Sequence, residues 1–156
     1  NFPVEALALD SIVDDVLKNM RIDQERWPVV VDLPADLKSV MADAPKLRQA
    51  LTNVLGNAVK YSPDAGAITI RANSCTDSAR GFVSITVSDQ GIGMSSEQTA
   101  RVCERFYRAD GSGKIPGTGL GMSIAKEIIE LLGGKIEITS ALGKGTAVTL
   151  VLPASE

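Results

Sequence analysis

Residues 46–61 read KLRQALTNVLGNAVKY, and no other stretch says more about the architecture of the chain. Its apolar side chains recur at intervals of four, three and four residues: Leu47, Leu51, Val54 and Ala58. This spacing predicts a helix with one apolar face. Asp43 is a suitable N-cap with Pro45 in the first turn, and we expect the helix to end near Tyr61.

A polar row runs along the same predicted helix. It comprises Lys46, Gln49, Asn53, Asn57 and Lys60. Both asparagines and Lys60 therefore share one helical face. An asparagine oxygen can ligate Mg2+, and a lysine can pair with phosphate. Taken alone, such a row is more often a solvated polar face, so it indicates a site only in combination with other features.

Clustered glycines are the other feature that points to a site. The chain has 14 glycines, and several form clusters: Gly91 and Gly93; Gly117, Gly119 and Gly121; Gly143 and Gly145. Glycine lets backbone amides approach a ligand closely. Each cluster adjoins a predicted strand end or helix start, and each by itself is an ordinary turn. Together with the asparagine and lysine face, they indicate a nucleotide site.

Two common phosphate motifs are excluded. The pattern GxxxxGK[ST] does not occur, so the chain is not a P-loop protein. The Gly91-Ile92-Gly93 turn lacks the third glycine of a dinucleotide fingerprint, because Ser96 stands at that position. The turn also lies in mid-chain without a clear βαβ unit.

The composition narrows the possible functions. A chain of 156 residues with 44% apolar residues fits one domain, which we assign to residues 1–156. The net charge of -3, without a basic cluster, gives little support to nucleic-acid or membrane binding. Two cysteines without a CxxC pair fit a reduced cytosolic setting. The absence of histidine excludes histidine bases and histidine metal clusters.

The remaining patterns predict an α/β fold: a two-layer sandwich with a mixed β-sheet and helices packed on one face. We predict a helix over 6–26, a strand at 29–31 paired with 39–41, and strands 67–73 and 82–88 joined by a loop at 74–81. A short helix capped by Ser95 or Ser96 follows and runs toward Phe106. The last helix has the apolar stripe Leu120, Ile124, Ile128 and Leu131 and stops at Gly133-Gly134. Strands 135–139 and 146–152 close the chain.

Five ordered stretches resemble the sequence boxes of bacterial two-component sensor histidine kinases. They are the N box NVLGNAVKY (53–61), the G1 box DQGIGM (89–94), the F box ERFYR (104–108), the G2 box GTGLG (117–121) and the final glycine box GKGT (143–146). Their order and spacing cover nearly the whole chain. The resemblance implies the Bergerat ATP-binding fold, which gyrase, a heat-shock chaperone and a mismatch-repair ATPase share.

The resemblance also implies roles for individual residues. Asn57 is expected to ligate Mg2+, and Asp89 to accept a hydrogen bond from the adenine amino group. Lys60, Tyr61 and Arg108 are expected on the phosphate and ribose side. The other expected ATP contacts are Gly91, Gly93, Met94, Gly117, Thr118, Gly119, Leu120, Gly121 and Thr146. Residues 107–117 correspond to the lid that closes over the nucleotide. Cys103 departs from the phenylalanine that many members carry, and its smaller side chain is expected to loosen the anchoring of the lid to the core.

The position of Asn53 separates kinase from hydrolase. Hydrolases of this superfamily place a glutamate one helical turn before the metal-binding asparagine, where it activates water. Asn53 has no useful basicity, so transfer to a nucleophile from another domain is favoured over hydrolysis. For this transfer, the resemblance implies Asn53, Asn57, Lys60 and Arg108 as the catalytic residues. A standalone ATPase, an anti-sigma-type serine kinase and a nucleotide-sensing module without catalysis remain alternatives.

Partners and location follow from the same resemblance. The phosphoacceptor would be a histidine on a helical dimerisation domain of the same kinase, and a response regulator would act downstream. This chain alone is expected to be monomeric and its parent a homodimer. It would form a cytoplasmic domain of a membrane-anchored sensor kinase, with the dimerisation and sensor domains outside the sequence.

Overall fold

The computed structural model describes residues 3–77, 80–108 and 119–155. Seven strands and four helices are found there. In chain order they are β1 (Glu5–Leu7), α1 (Leu9–Met20), β2 (Val29–Asp32), β3 (Val40–Ala42), α2 (Ala44–Lys60), β4 (Ile68–Asp77), β5 (Arg80–Ser88), α3 (Ser96–Arg101), α4 (Gly121–Leu131), β6 (Lys135–Ala141) and β7 (Gly145–Pro153).

Five strands form one mixed sheet in the order β2-β4-β5-β7-β6. β2 runs parallel to β4, and the other neighbours are antiparallel. β1 and β3 pair separately as a small antiparallel sheet. The helices pack on the five-stranded sheet, and this arrangement confirms the predicted α/β fold.

The core lies between the sheet and the helices. α2 carries the predicted apolar stripe into it, because Leu47, Leu51 and Val54 are each about 1% exposed. On β5 the alternation of the sequence places Val83, Ile85 and Val87 on the buried face. Asp43 caps α2 as predicted, since its carboxylate accepts a hydrogen bond from the Lys46 amide at 3.1 Å. The helix that carries the asparagines is thus anchored along its length.

The N-terminal predictions were partly wrong. The helix predicted over 6–26 spans only Leu9–Met20, because residues 5–7 pair with β3 and Arg21 adopts a left-handed φ of 52° that ends the helix. The predicted pairing of 29–31 with 39–41 does not form. β2 instead pairs with β4, which places it at an edge of the main sheet.

The bounds of the β4–β5 loop and of α3, and the buried face of α4, also differ from expectation. The loop predicted over 74–81 is shorter, because β4 continues to Asp77 and β5 begins at Arg80. α3 ends at Arg101, well before Phe106. Leu131 is 62% exposed, and the buried side of α4 consists of Met122, Ala125, Ile128 and Ile129. Within the described ranges, no helix has the length and apolar character needed to cross a membrane.

Candidate nucleotide site

The polar face of α2 forms one wall of a cavity of about 260 Å³. Asn53, Asn57 and Lys60 all line it, as their helical spacing predicted. Asn53 also reaches across to α4, where its side-chain amide donates to the carbonyl of Gly121 at 3.2 Å. The same asparagine therefore borders the cavity and links two helices.

A second, smaller cavity adjoins the first. Both are lined by Asn57, Tyr61, Val102 and Met122, so they lie side by side, and we describe them together as one cleft. The smaller cavity adds Asp89, Met94 and Thr146 to a mainly apolar lining. A narrow apolar slot with a few polar groups at its end suits a flat heterocycle. We call this part the narrow end of the cleft and the larger cavity the wide end.

Asp89 follows the last residue of β5 and is held by two backbone amides. In the described part of the chain, the N–H groups of Gly91 and Thr146 donate to Oδ1 of Asp89 at 2.9 and 3.2 Å. The second carboxylate oxygen is then available to a ligand. Burial raises the pKa of Asp89 above its usual value, and the two amide hydrogen bonds partly offset this effect. The fold therefore holds a half-buried acceptor at the narrow end.

The first glycine loop is packed against its neighbours. A Cβ on Gly91 would lie 1.9 Å from the carbonyl oxygen of Tyr61, and one on Gly93 would lie 1.9 Å from that of Ala141. The amide of Ile92 donates to the carbonyl of Tyr61 at 2.9 Å. Neither glycine lines the cleft. They permit the close backbone contact that places Asp89 and Met94 there.

The wide end combines cations with open backbone amides. Lys60, Arg108, Gly119 and Gly121 line it. Among the described residues, nothing gives a hydrogen-bond partner to the buried Nη2 atom of Arg108. α4 begins at this end, and its N-cap residue Leu120 provides no side-chain cap. A helix N-terminus with a cation beside it is a suitable environment for an anion.

Comparison with known proteins agrees with this geometry. The family described as "Histidine kinase-, DNA gyrase B-, and HSP90-like ATPase" matches residues 42–156. The chain belongs to this family. The resemblance predicted from the five boxes is therefore confirmed, and the chain is an ATPase domain of the histidine-kinase type.

The chain is also similar to individual histidine kinases in sequence and in structure. The sensor histidine kinase WalK of Bacillus subtilis is 40% identical over 119 residues, which cover 75% of this chain and 19% of WalK. The mycobacterial sensor histidine kinase MprB is 29% identical, with a TM-score of 0.80 and 97% of each chain covered. ShkA, solved in complex with AMPPNP, is 26% identical, with a TM-score of 0.84 over all of this chain and 32% of ShkA. The chain spans less than half the length of the curated relatives that it matches.

Most of the predicted site residues lie along the cleft of this family member. Those that line it are Asn53, Asn57, Lys60, Tyr61, Asp89, Met94, Arg108, Gly119, Gly121 and Thr146. Gly91, Gly93 and Leu120 lie beside it without lining it. Gly117 and Thr118 fall outside the described residues, as does the predicted lid apart from Tyr107 and Arg108.

Sequence reasoning missed several apolar contributors. Met20, Val102 and Met122 also line the cleft, and so does Tyr107, the first residue of the predicted lid. Met20 ends α1, and only the packing of α1 against α2 brings it to the wide end. Cys103 is half-buried against the core, and burial raises the pKa of its thiol. Its effect on the lid stays a prediction.

Proposed function

We propose that this chain binds Mg-ATP and donates the γ-phosphate to a histidine on a separate helical domain of the same sensor kinase. The supporting observation is Asn53. It occupies the wall of the wide end, one helical turn before Asn57, and its side-chain amide is engaged with Gly121. An amide cannot accept a proton from water at neutral pH, so the residue favours transfer to an incoming nucleophile over hydrolysis.

The cleft suggests how the nucleotide would lie. We assign adenine to the narrow end, with its amino group donating to Asp89. The triphosphate fits the wide end, where Lys60, Arg108 and the first amides of α4 provide positive charge. The buried Nη2 of Arg108 is a donor that a phosphate oxygen would satisfy. The AMPPNP named in the ShkA complex is an ATP analogue and supports this choice of ligand.

A metal ion fits the same arrangement. The described ranges contain no group of three or more His, Cys, Asp or Glu residues able to hold one. Asn57 lines both parts of the cleft, and its neutral amide oxygen would supply one ligand, with phosphate oxygens and water supplying others. Mg2+, when bound, neutralises charge on the phosphates. The residues of the chain would orient the triphosphate and keep its positive surroundings in place.

The remaining partners belong to the whole protein. The chain contains no histidine, so the acceptor must come from elsewhere. We propose a helical dimerisation domain of the same kinase as its source and a response regulator as the next acceptor. The parent would be a homodimeric, membrane-anchored sensor with this domain in the cytoplasm. The name of WalK, a sensor histidine kinase, supports a sensor kinase as the parent. So does the name of a second relative, the adaptive-response sensory kinase SasA of Synechococcus elongatus, which is 32% identical over 152 residues.

A transfer assay in trans tests the proposal. The chain, labelled ATP and Mg2+ are mixed with the histidine-bearing helical domain of the parent protein. We expect acid-labile label on the helical domain, none on this chain, and slow release of free phosphate. Asn57→Ala should abolish transfer, and Asn73→Ala, on the exposed face of β4, should not. Rapid steady-state phosphate release without transfer would identify an ATPase instead.

A further inference from the structure

Ser140 lies behind the narrow end of the cleft and does not line it. It sits on β6 directly opposite Thr146 of β7 in the antiparallel register. Its Oγ accepts a hydrogen bond from the amide of Met94 at 2.8 Å and donates to the carbonyl of Gly145 at 3.0 Å. It is also 2.8 Å from the Oγ1 of Thr146. One hydroxyl thus joins the first glycine loop to the β6–β7 turn.

The number of hydroxyl hydrogens determines which residue donates in the contact between Ser140 and Thr146. A serine hydroxyl has one hydrogen and two lone pairs. A carbonyl oxygen can only accept, so the hydrogen of Ser140 goes to Gly145. One lone pair receives the Met94 amide, and the other is left for the hydroxyl of Thr146. Thr146 must therefore be the donor in this pair if all three contacts are made.

The direction of this hydrogen bond determines which groups the narrow end offers to a ligand. With its hydrogen directed to Ser140, Thr146 presents only lone pairs to the narrow end that it lines. Asp89 beside it presents a carboxylate oxygen, and the amide of Thr146 holds that carboxylate in place at 3.2 Å. The side-chain oxygens of Asp89 and Thr146 at the narrow end are therefore both hydrogen-bond acceptors. A base edge carrying an amino group matches it, and a base edge carrying a carbonyl is repelled.

We propose that Ser140 is a specificity-determining positioning residue, which fixes the Thr146 hydroxyl as an acceptor and so favours amino-bearing over carbonyl-bearing purines. The inference rests on the proposed nucleotide site. Without Ser140, the hydroxyl of Thr146 can rotate and donate to a carbonyl. Discrimination between adenine and hypoxanthine nucleotides should then decrease.

Calorimetry with Mg-ADP and Mg-IDP tests this on the 156-residue chain. Ser140→Ala is expected to lower the ratio of ADP to IDP affinity about fivefold, the typical weight of one net hydrogen bond. Ser140→Thr retains the hydroxyl and should retain the wild-type ratio. Thr149→Val is the matched control, because it breaks another hydroxyl pair in the same sheet, Thr86 with Thr149 at 2.8 Å. It should leave the ratio unchanged.

A double-mutant cycle separates this role from simple support of the loop. Thr146→Val removes the acceptor itself, so Ser140→Ala added to it should change the ratio no further. If Ser140→Ala weakens ADP and IDP equally, Ser140 only supports the loop and the inference is overturned. If the wild-type chain binds neither nucleotide, the proposed function fails as well. ADP binding with an unchanged ratio in Ser140→Ala overturns this inference alone.

Discussion

The narrow end and the wide end of the cleft both depend on glycines, but they use them differently. Beside the narrow end, Gly91 is enclosed, and a Cβ there would meet the Tyr61 carbonyl oxygen at 1.9 Å. At the wide end, a Cβ added to Gly56 would have no atom within 4 Å, and the nearest atom to one added to Gly121 is 3.9 Å away. Gly119 at the wide end is an exception, because a Cβ there would lie 2.7 Å from the backbone carbonyl carbon of Phe106. The enclosed glycines bring two backbone segments together, whereas Gly56 and Gly121 leave space at the wide end.

The two ends of the cleft therefore depend on different physical properties. The narrow end holds one carboxylate and two neighbouring hydroxyls in a fixed network, so its properties depend on backbone packing. The wide end presents Lys60 and Arg108 around open volume, so its properties depend on charge. Substitutions at the narrow end should therefore affect folding and base recognition. Those at the wide end should affect recognition of the phosphates with little effect on the fold.

The largest effect is expected from Gly91→Ala. Its methyl group would overlap backbone atoms of Tyr61 and lie 2.8 Å from the Ser62 hydroxyl, so the loop or the end of α2 must move. We expect a loss of about 3 kcal/mol in the free energy of unfolding, measured by urea denaturation. Gly143→Ala is the control. Its φ is 77° and an added Cβ would have no atom within 4 Å, so only about 1–2 kcal/mol of backbone strain applies. Equal losses in the two variants would contradict the packing argument.

Asp89→Asn should come next and act on the base. It replaces a charged acceptor by an amide at the narrow end. Binding of adenosine and ATP should each weaken by about 1–3 kcal/mol, as measured by calorimetry. Because the change is at the base, the loss should be similar for both ligands. A loss confined to ATP would show that Asp89 acts on the phosphates instead.

The same variant has a signature in the pH dependence of stability. Burial raises the pKa of Asp89 from its ordinary value of 3.8, so the folded chain retains this proton to a higher pH than the unfolded chain. The free energy of unfolding therefore falls as the pH rises from about 3.8 through the higher pKa of the folded state, and the loss persists at neutral pH. Asp89→Asn removes this pH-dependent loss. The variant should gain stability relative to wild type across that window. Parallel curves in urea denaturation would contradict the buried position of the carboxylate.

Arg108→Gln should weaken the wide end alone. Its buried Nη2 donor would no longer meet a phosphate oxygen, and ATP affinity should fall on the order of tenfold. Adenosine affinity should stay unchanged, since adenosine carries no phosphate. Arg71→Gln, at an exposed position on β4, is the matched control for loss of one positive charge. Equal losses for ATP and adenosine would place Arg108 at the base.

The same contrast explains what the sequence could predict. The site on α2 follows from helical spacing within 17 residues, so Asn53, Asn57 and Lys60 could be placed together. Asp89 and Thr146 could be assigned only by resemblance, because the antiparallel pairing of β5 with β7 brings them together across 57 residues. Local periodicity carries no information about such distant pairs.

The errors have a related cause. β1 and β3 have three residues each, too few for a clear alternation, and the pairing of β2 with β4 joins segments about forty residues apart. Ser140 did have a visible signal, because it follows Ile136 and Ile138 on the inner-facing positions of β6. A hydroxyl in phase with two isoleucines faces the core and needs partners. Identifying them required Met94 and Gly145, which come from other segments.

Gly56→Ala should give the smallest effect and sharpens the contrast between the two ends. Gly56 lies within α2 and lines the wide end, with no atom within 4 Å of an added Cβ. Alanine favours the helix over glycine by about 1 kcal/mol, so urea denaturation should show a more stable chain. The methyl group would enter the space beside the triphosphate, so ATP affinity should fall while adenosine affinity stays constant. A more stable variant with unchanged ATP affinity would show that this glycine does not provide space for the ligand. A destabilised variant would show that the wide end is closely packed at Gly56, as it is at Gly119.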